Sequence, residues 1–327
     1  MNKQKKVLFL VPYPLQQAPS QRFRVELYLP LLHEQGIAYR LEPFIDTATW
    51  KILYSNASGL SKGLGIIKGF WKRLMVLLML VPKYDFIFIH REASPLGPPL
   101  FEWIISKVFR KKIVFDFDDA IWIPNTTAEN KLASWFKAFW KVKYICKWAY
   151  KVAGGNAYLC NYAGQYNNNI VLLPTCVDTE KQHNQLKVQH TPQVTIGWTG
   201  SHSTMKFLDG ILPILNKVAA NNEVELVLIS NKPPQFSLPH LQYICWHEAT
   251  EIDDLLTINI GLMPLQPDAW CEGKCGFKLI QYLALGIPAI ASPVGVNKAI
   301  IEHGKNGFLC SSEEEWIDAI TLLVKSA

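Results

Sequence analysis

EGKCGFKLIQYLALGIPAIASPVG, residues 272–295, decides how the chain is read. From Gly276 to Leu285 the apolar residues Phe277, Ile280, Leu283 and Ala284 recur at helical spacing, which gives one apolar helix side. Gly286-Ile287-Pro288 then stops the helix, because glycine admits the left-handed conformation and proline removes a backbone donor. Ala289–Ala291 follows as a short buried strand. A helix feeding a buried strand is half of a βαβ unit, so the stretch implies a parallel sheet with crossover helices. Lys274 stands just before the helix and Lys278 one turn inside it. Both ammonium groups can reach an anion over the helix N-terminus, a diphosphate above all. Gln281, three residues on, is placed to bond a sugar hydroxyl.

Outward from that stretch the same alternation runs through the chain. The predicted strands of the first half are KVLFLVPY (6–13), YRLEPF (39–44), FIFIH (86–90), KIVFDFD (112–118), a weaker one around 152–156, and NIVLLPT (169–175). Those of the second half are VTIGWTG (194–200), VELVLIS (224–230), LQYICW (241–246), INIGLMPL (258–265), PAIASP (288–293) and GFLC (307–310). Helical patterns separate them, so each half is expected to be a doubly wound α/β domain. The polar, aperiodic segment 177–193 reads as a linker between domain 1–176 and domain 194–327. Two such Rossmann-like domains would face each other across a cleft, with ligands at the carboxyl ends of the strands.

The chain has 327 residues, enough for two domains that each bury a core. Its 49% hydrophobic and 18% charged residues exclude a disordered protein. Seven cysteines lack any Cys-x-x-Cys pair, and Cys271-x-x-x-Cys275 has no histidine nearby, so reduced thiols are expected and a zinc site is not. The opening MNKQKKVLFLVPYP mimics a secretory signal, but its apolar run is short and ends in proline, so it reads as a first strand after a basic tail. LMVLLMLVP at 74–82 is about half of a membrane span. A cytoplasmic protein without a membrane-spanning helix is expected. Residues 1–176 hold 23 Lys and Arg against 11 Asp and Glu, whereas residues 177–327 hold 10 against 16. The basic half suits a membrane surface, a phosphorylated acceptor or a nucleic acid. The acidic second half and the lack of a nucleic-acid-binding motif speak against the last.

Other motifs carry chemistry. VTIGWTGSHSTMKFL (194–208) is a strand, a glycine-containing turn and a helix. Gly197 and Gly200 admit close backbone approach, and Ser201 and Ser203 are expected to cap the helix. In PYPLQQAPSQRFRVELYLP (12–30), Arg22 and Arg24 lie near a helix start and favour an anionic group. KIVFDFDDAIW (112–122) sets Asp116, Asp118 and Asp119 together at a strand end, where they repel one another unless cations answer them. His90-Arg91-Glu92 ends a neighbouring strand. Segment 131–151 reads as a basic, Trp-rich helix, with Trp135, Phe136, Phe139, Trp140, Ile145 and Trp148 interleaved with lysines. With KGFWKRLMVLLML (68–80) it suggests peripheral contact with anionic lipid at the inner face of a membrane.

The segment GKCGFKLIQYLALGIPAIASPVGVN resembles the donor-binding segment of GT-B glycosyltransferases of the retaining family-4 type. The match runs through Lys278, Leu279, Tyr282, Ala284, Gly286 and Pro288. Relatives frame it with two glutamates eight positions apart. Here Gln281 takes the second place, and Gly273, one residue after Glu272, takes the first. LPTCVDTE (173–180) resembles the family's interdomain signature, and SPVGVNKAIIEHGKNGFL its glycine loop and Asn-Gly turn. The resemblance implies a GT-B fold and a nucleotide-diphosphate sugar as donor substrate, with no separate cofactor and no metal. It gives the diphosphate to Lys206, Lys274 and Lys278 with the loop at Gly200 and Ser201. Gln281 then lies near the ribose, and the backbone amides of Gly295, Val296 and Asn297 near phosphate or sugar. The acceptor, a glycan or a lipid-linked sugar, would meet Arg22 and Arg24. Asp118 stands where relatives often carry a functional histidine, so Asp118 and His90 are the catalytic candidates. The implied reaction is sugar transfer in cell-surface polysaccharide synthesis, with retention of configuration. Relatives usually continue past the last helix, so a short or incomplete member is expected. Two alternatives stay open: a metal-dependent single-domain-type transferase using Asp116 and Asp118, and a non-catalytic nucleotide-sugar or polyanion-binding protein.

Overall fold

The computed structural model describes residues 4–55, 58–124, 136–221 and 224–326, and these divide into two compact units, Met1–Thr175 and Cys176–Ala327. Each unit is built on a six-stranded parallel sheet.

In the first unit the strands are β1 (Lys6–Val11), β2 (Ala38–Pro43), β3 (Phe86–His90), β4 (Lys112–Phe117), β5 (Lys151–Gly154) and β6 (Ile170–Leu172), in the spatial order β2-β1-β3-β4-β5-β6. Its helices are α1 (Pro19–Arg24), α2 (Leu29–Glu34), α3 (Thr47–Tyr54), α4 (Gly59–Met79), α5 (Leu100–Trp103), α6 (Lys141–Trp148) and α7 (Ala157–Gly164). The chain leaves β1 toward β2 and then turns back past it to β3, so the order reverses between β1 and β3. Phe9 and Val11 pack with Val25, Leu29 and Leu32 on one face of the sheet. Leu8 and Leu10 point to the other face and are fully buried, as the period-2 pleat requires. Arg73 of α4 is buried, and its guanidinium donates to the carbonyls of Ala93 (2.8 Å), Glu42 (3.1 Å) and Val11 (3.1 Å). Burial lowers its pKa to about 10. Those three bonds fix which side of α4 faces the sheet.

The second unit has β7 (Val194–Thr199), β8 (Val224–Ser230), β9 (Leu241–Cys245), β10 (Ile260–Met263), β11 (Ala289–Ala291) and β12 (Gly307–Leu309), in the order β12-β11-β10-β7-β8-β9. Its helices are α8 (Leu212–Asn221), α9 (Glu251–Leu255), α10 (Ala269–Glu272), α11 (Phe277–Ala284), α12 (Asn297–Ile300) and α13 (Glu313–Ser326). The central strands are buried on both faces, which explains their unbroken apolar sequence. In β8, Leu226 and Leu228 join one core with Trp198, Trp316 and Ile320, while Val227 and Ile229 join another with Leu279 and Tyr282. Segment 177–193 packs on this unit: Lys187 N–H donates to Leu285 O (2.8 Å) and the Gln189 amide to Gly286 O (3.0 Å).

Two local expectations are corrected. Segment 131–151 is not one helix: residues 131–135, including Trp135, lie outside the described residues, α6 begins only at Lys141, and β5 starts at Lys151. Ala138, with φ +48°, takes a left-handed conformation that a helix cannot carry. Lys141 is buried and reaches Glu92 (2.7 Å) and the Ser94 carbonyl (2.8 Å), which removes it from any lipid-facing row. The turn after β7 is a 3-10 helix, His202–Leu208, and Ser201 does not cap it by its side chain. The Ser201 hydroxyl bonds those of Ser203 (3.0 Å) and Thr204 (3.4 Å) instead. No helix among the described residues is long and apolar enough to cross a membrane, and the seven cysteines are free thiols.

Candidate active site

In the second unit the strand order reverses between β7 and β10, and the loops at their carboxyl ends hold most of the predicted residues. Tyr282 of α11 fixes this corner. Its ring packs where a side chain on Gly261 would stand, and its buried hydroxyl accepts the Thr199 N–H at the end of β7 (3.0 Å). That anchor brings Lys278, one turn earlier, over the Trp198 ring, with Nζ 5.3 Å from its centroid, while its stem lies against Gly200. A Cβ on Gly200 would stand 2.5 Å from the Trp198 ring and 3.0 Å from Lys278 Cε, so the glycine makes room for the ring and for the lysine over it. Gly276 starts α11 at φ +67°, and no side chain caps that helix. Lys274 lies in the turn before it, with Nζ 5.0 Å from the Trp270 centroid. Gly295, at φ +54°, lies so close to α10 that a Cβ would be 3.0 Å from the Glu272 carbonyl. Val296 packs toward Gly276, and buried Asn297 donates to Ser292 O (3.0 Å). Lys206 is exposed on the 3-10 turn with Nζ 5.4 Å from the Phe207 ring.

Gln281 faces another way. It is buried, and its amide lies 3.4 Å from Glu251 Oε1 and 3.4 Å from His183 Nε2. Glu251 also accepts from the Trp246 indole N–H (3.2 Å). The carboxylate missing at 281 therefore stands beside it, on α9.

The first unit carries a polar cluster at its own reversal, where β1, β3 and β4 end. His90 and Asp116 are fully buried. His90 Nδ1 lies 2.8 Å from Asp116 Oδ2, and His90 Nε2 lies 2.9 Å from the Ser20 hydroxyl at the start of α1. Arg24 grips both oxygens of Asp116 and donates to the Leu173 carbonyl, so it is committed inside the fold. Arg22 is buried in the same helix over the Phe23 ring, 5.0 Å from its centroid. Arg91 holds the other two carboxylates, reaching Asp118 (2.8 Å) and Asp119 (2.5 Å), with its backbone at φ +61°. Such a conformation in a non-glycine residue persists only where its surroundings hold it, here the two carboxylates. Burial alone would raise the Asp118 carboxyl, but the Arg91, His90 and Arg24 charges hold it well below the usual carboxylate range. Asp118 is therefore an acceptor only. The three repelling acids noted in the sequence are answered by two guanidinium groups and a histidine. Among the described residues no group of three His, Cys, Asp or Glu side chains is arranged to hold a metal.

Residues 193–326 match the family described as Glycosyl transferases group 1. The second unit is a glycosyl transferases group 1 domain. The group 1 domain and the unit before it together have the fold of GT-B glycosyltransferases, which consist of two Rossmann-like domains. Anabaena Alr3699/HepE, solved with UDP and glucose, superposes with a TM-score of 0.63 at 14% identity over 98% of this chain and 90% of that one. Sucrose-phosphate synthase of Thermosynechococcus elongatus gives 0.64 at 13% identity over 99% and 90%. The lipopolysaccharide outer core galactosyltransferase WaaB gives 0.59 at 11% over 98% and 90%. No curated protein matches the chain by sequence. Within the group 1 domain the structure thus gathers Gly200, Lys278, Lys274, Gly295, Val296 and Asn297 at neighbouring strand ends and sends Gln281 inward. The sequence reading missed Trp198, Glu251 and His183 there, and Ser20 and Arg91 in the first unit. The signal for Arg91 was its place in the His-Arg-Glu triplet that ends β3.

Proposed function

We propose that the protein transfers a sugar from a nucleotide-diphosphate sugar to a glycan or lipid-linked acceptor, in the cytoplasm at the surface of an anionic membrane, in the synthesis of cell-surface polysaccharide. The group 1 match over residues 193–326 carries this reading, and the placement of Lys278 beside the end of β7 supports it. When the sugar–phosphate bond breaks, negative charge grows on the leaving diphosphate. Lys278, Lys274 and Lys206, with the N-terminal dipole of α11, stabilise that charge more in the transition state than in the ground state. The Trp198 and Trp270 rings under two of these ammonium groups hold them in place before the donor arrives. In the first unit, Asp118 accepts a hydrogen bond from the acceptor hydroxyl, and His90, held by Asp116, keeps Ser20 oriented next to it. Arg24 supports that arrangement from inside, which leaves Arg22 as the arginine of α1 that serves the acceptor.

The test is a panel of labelled nucleotide-diphosphate sugars, incubated with the protein and a lipid extract. Label in the lipid phase with stoichiometric release of nucleoside diphosphate, unaffected by a chelator, is the expected result. Activity abolished by the chelator would transfer the assignment to the metal-dependent alternative. Donor binding with no release from any donor would transfer it to a non-catalytic binding protein.

A further inference from the structure

Ser20 stands where two hydrogen bonds meet. Its hydroxyl lies 2.9 Å from His90 Nε2, and it also bonds the Asp118 carboxylate. On the far side of the ring, His90 Nδ1 lies 2.8 Å from Asp116 Oδ2. Asp116 and His90 are fully buried, whereas Ser20 and Asp118 are half-buried. The row Asp116–His90–Ser20–Asp118 therefore runs from the interior to the surface of the first unit. It has two states, because a hydroxyl has one proton and both carboxylates only accept. With His90 neutral, Nδ1–H donates to Asp116, Nε2 accepts the Ser20 proton, and the side of Asp118 toward Ser20 accepts from another hydroxyl. With His90 charged, Nε2–H donates to Ser20, whose own proton turns to Asp118.

The charges around the ring suit the second state once a proton arrives. Asp116, Asp118 and Asp119 then face Arg24, Arg91 and His90, three of each sign. Glu92, beyond Arg91, is paired with Lys141 (2.7 Å), and burial raises the pKa of the nearby Tyr13 phenol, so neither upsets that balance. Asp118 itself is a poor base. Burial raises its carboxyl, but the Arg91, His90 and Arg24 charges and the Ser20 bond hold it well below the usual carboxylate range. It orients a hydroxyl and does not keep the proton at neutral pH. Histidine is the side chain that changes charge there. We propose that Ser20 relays the acceptor's proton from Asp118 to His90, which stores it. The proposal rests on the transferase reading above and adds the residue that takes the proton. As the acceptor oxygen bonds the anomeric carbon, the electron pair of the sugar–phosphate bond leaves with the diphosphate. The acceptor's proton passes by way of Asp118 to Ser20 Oγ, and the Ser20 proton passes to His90 Nε2. His90 returns it through Ser20 to solvent before the next turnover. Ser20 and His90 act through Asp118, as positioning residues.

Transfer by the full chain is measured against pH, with the donor panel and lipid extract of the assay above, for wild type, Ser20→Ala and Ser20→Thr. In the wild type kcat is expected to rise with pH over the range in which histidines change charge, about pH 5 to 8, because only neutral His90 takes the proton. Ser20→Ala should lower kcat about a hundredfold, flatten that profile and leave the donor KM in place. Ser20→Thr keeps the hydroxyl and should restore both rate and profile. An alanine variant with the wild-type kcat overturns the proposal, since the leaving diphosphate would then take the proton itself. So does one that is slower with an unchanged profile, since the hydroxyl would then be structural. Protein labelled with nitrogen-15 histidine is followed by NMR over the same range, the His90 signals being those lost in His90→Gln. A ring that titrates there and carries its proton on Nδ1 when neutral is expected. A ring of fixed charge, or a neutral form protonated on Nε2 and so unable to accept from Ser20, overturns the relay even where transfer is seen. No transfer from any donor in the wild type removes the transferase reading instead, and the NMR result alone then decides the relay.

Discussion

Replacing Asp116 by Asn removes one buried charge and leaves its partners in place. Asp116 and the Arg24 side chain are both essentially inaccessible to water, and the carboxylate also receives His90 Nδ1 at 2.8 Å. An asparagine keeps the shape but turns an NH₂ toward one of these donors and takes from the guanidinium the carboxylate it grips. Breaking a buried pair from one side costs about 3–5 kcal/mol. The whole stability of a domain is about 5–15 kcal/mol. The bond from Arg24 to the Leu173 carbonyl remains and keeps the loss toward the lower figure. Because the chain has two units, a single melting temperature mixes two transitions, and amide hydrogen exchange followed by mass spectrometry separates them. Peptides from β3 and β4 in Asp116→Asn should exchange faster by roughly two to three orders of magnitude, at 1.36 kcal/mol per tenfold. Peptides from β8 should keep their wild-type rate. Arg24→Met/Asp116→Leu, which removes both charges, should recover much of the protection. If β3 and β4 exchange at wild-type rates in the single variant, the pair does not hold these strands together and the cluster described here is misassigned.

Other consequences are smaller but as direct. Tyr282→Phe leaves the Thr199 N–H buried without its acceptor, at a cost of about 1–3 kcal/mol, and should lower the melting temperature of the second unit by roughly 3–10 °C in calorimetry. Asp46 caps α3 by accepting Thr49 N–H (2.7 Å) and faces Lys68 (2.6 Å); the lysine bond and the cap pull its pKa down to about 2. A carboxyl whose folded pKa lies below its unfolded value contributes stability above the unfolded pKa and loses it as pH falls through the folded one. Asp46→Ala should therefore be less stable by about 1 kcal/mol at neutral pH, with the gap narrowing between about pH 4 and pH 2 in urea titrations. A gap that ignores pH would contradict the Lys68 contribution.

The strands were legible because a strand covered on both faces is a continuous apolar run, and VELVLIS or FIFIH has no other comfortable reading. All twelve predicted strands are present, most of them shortened at their ends, while Phe86–His90 and Val224–Ser230 keep the expected bounds. The position of Lys278 one turn into a helix was legible for a similar reason, since it belongs to a local helix-and-turn pattern. What could not be read lies in pairs distant along the chain. Ser20 meets His90 across 70 residues, Arg24 meets Asp116 across 92, and Gln281 meets His183 across 98. Spacing carries no information about such contacts; only the topology brings them together. Segment 131–151 misled because lysines and tryptophans at helical spacing look the same whether or not one residue breaks the helix.

The claim on which the account turns is that Lys278 holds the donor's diphosphate. Calorimetric titration of wild type and Lys278→Ala with the nucleotide-diphosphate sugar that stabilises the protein most tests it directly. Loss of a charge-assisted bond of about 1.5–3 kcal/mol should weaken binding roughly 10- to 150-fold, with the circular dichroism spectrum unchanged. Equal affinity in the two proteins would place the diphosphate elsewhere and contradict the site.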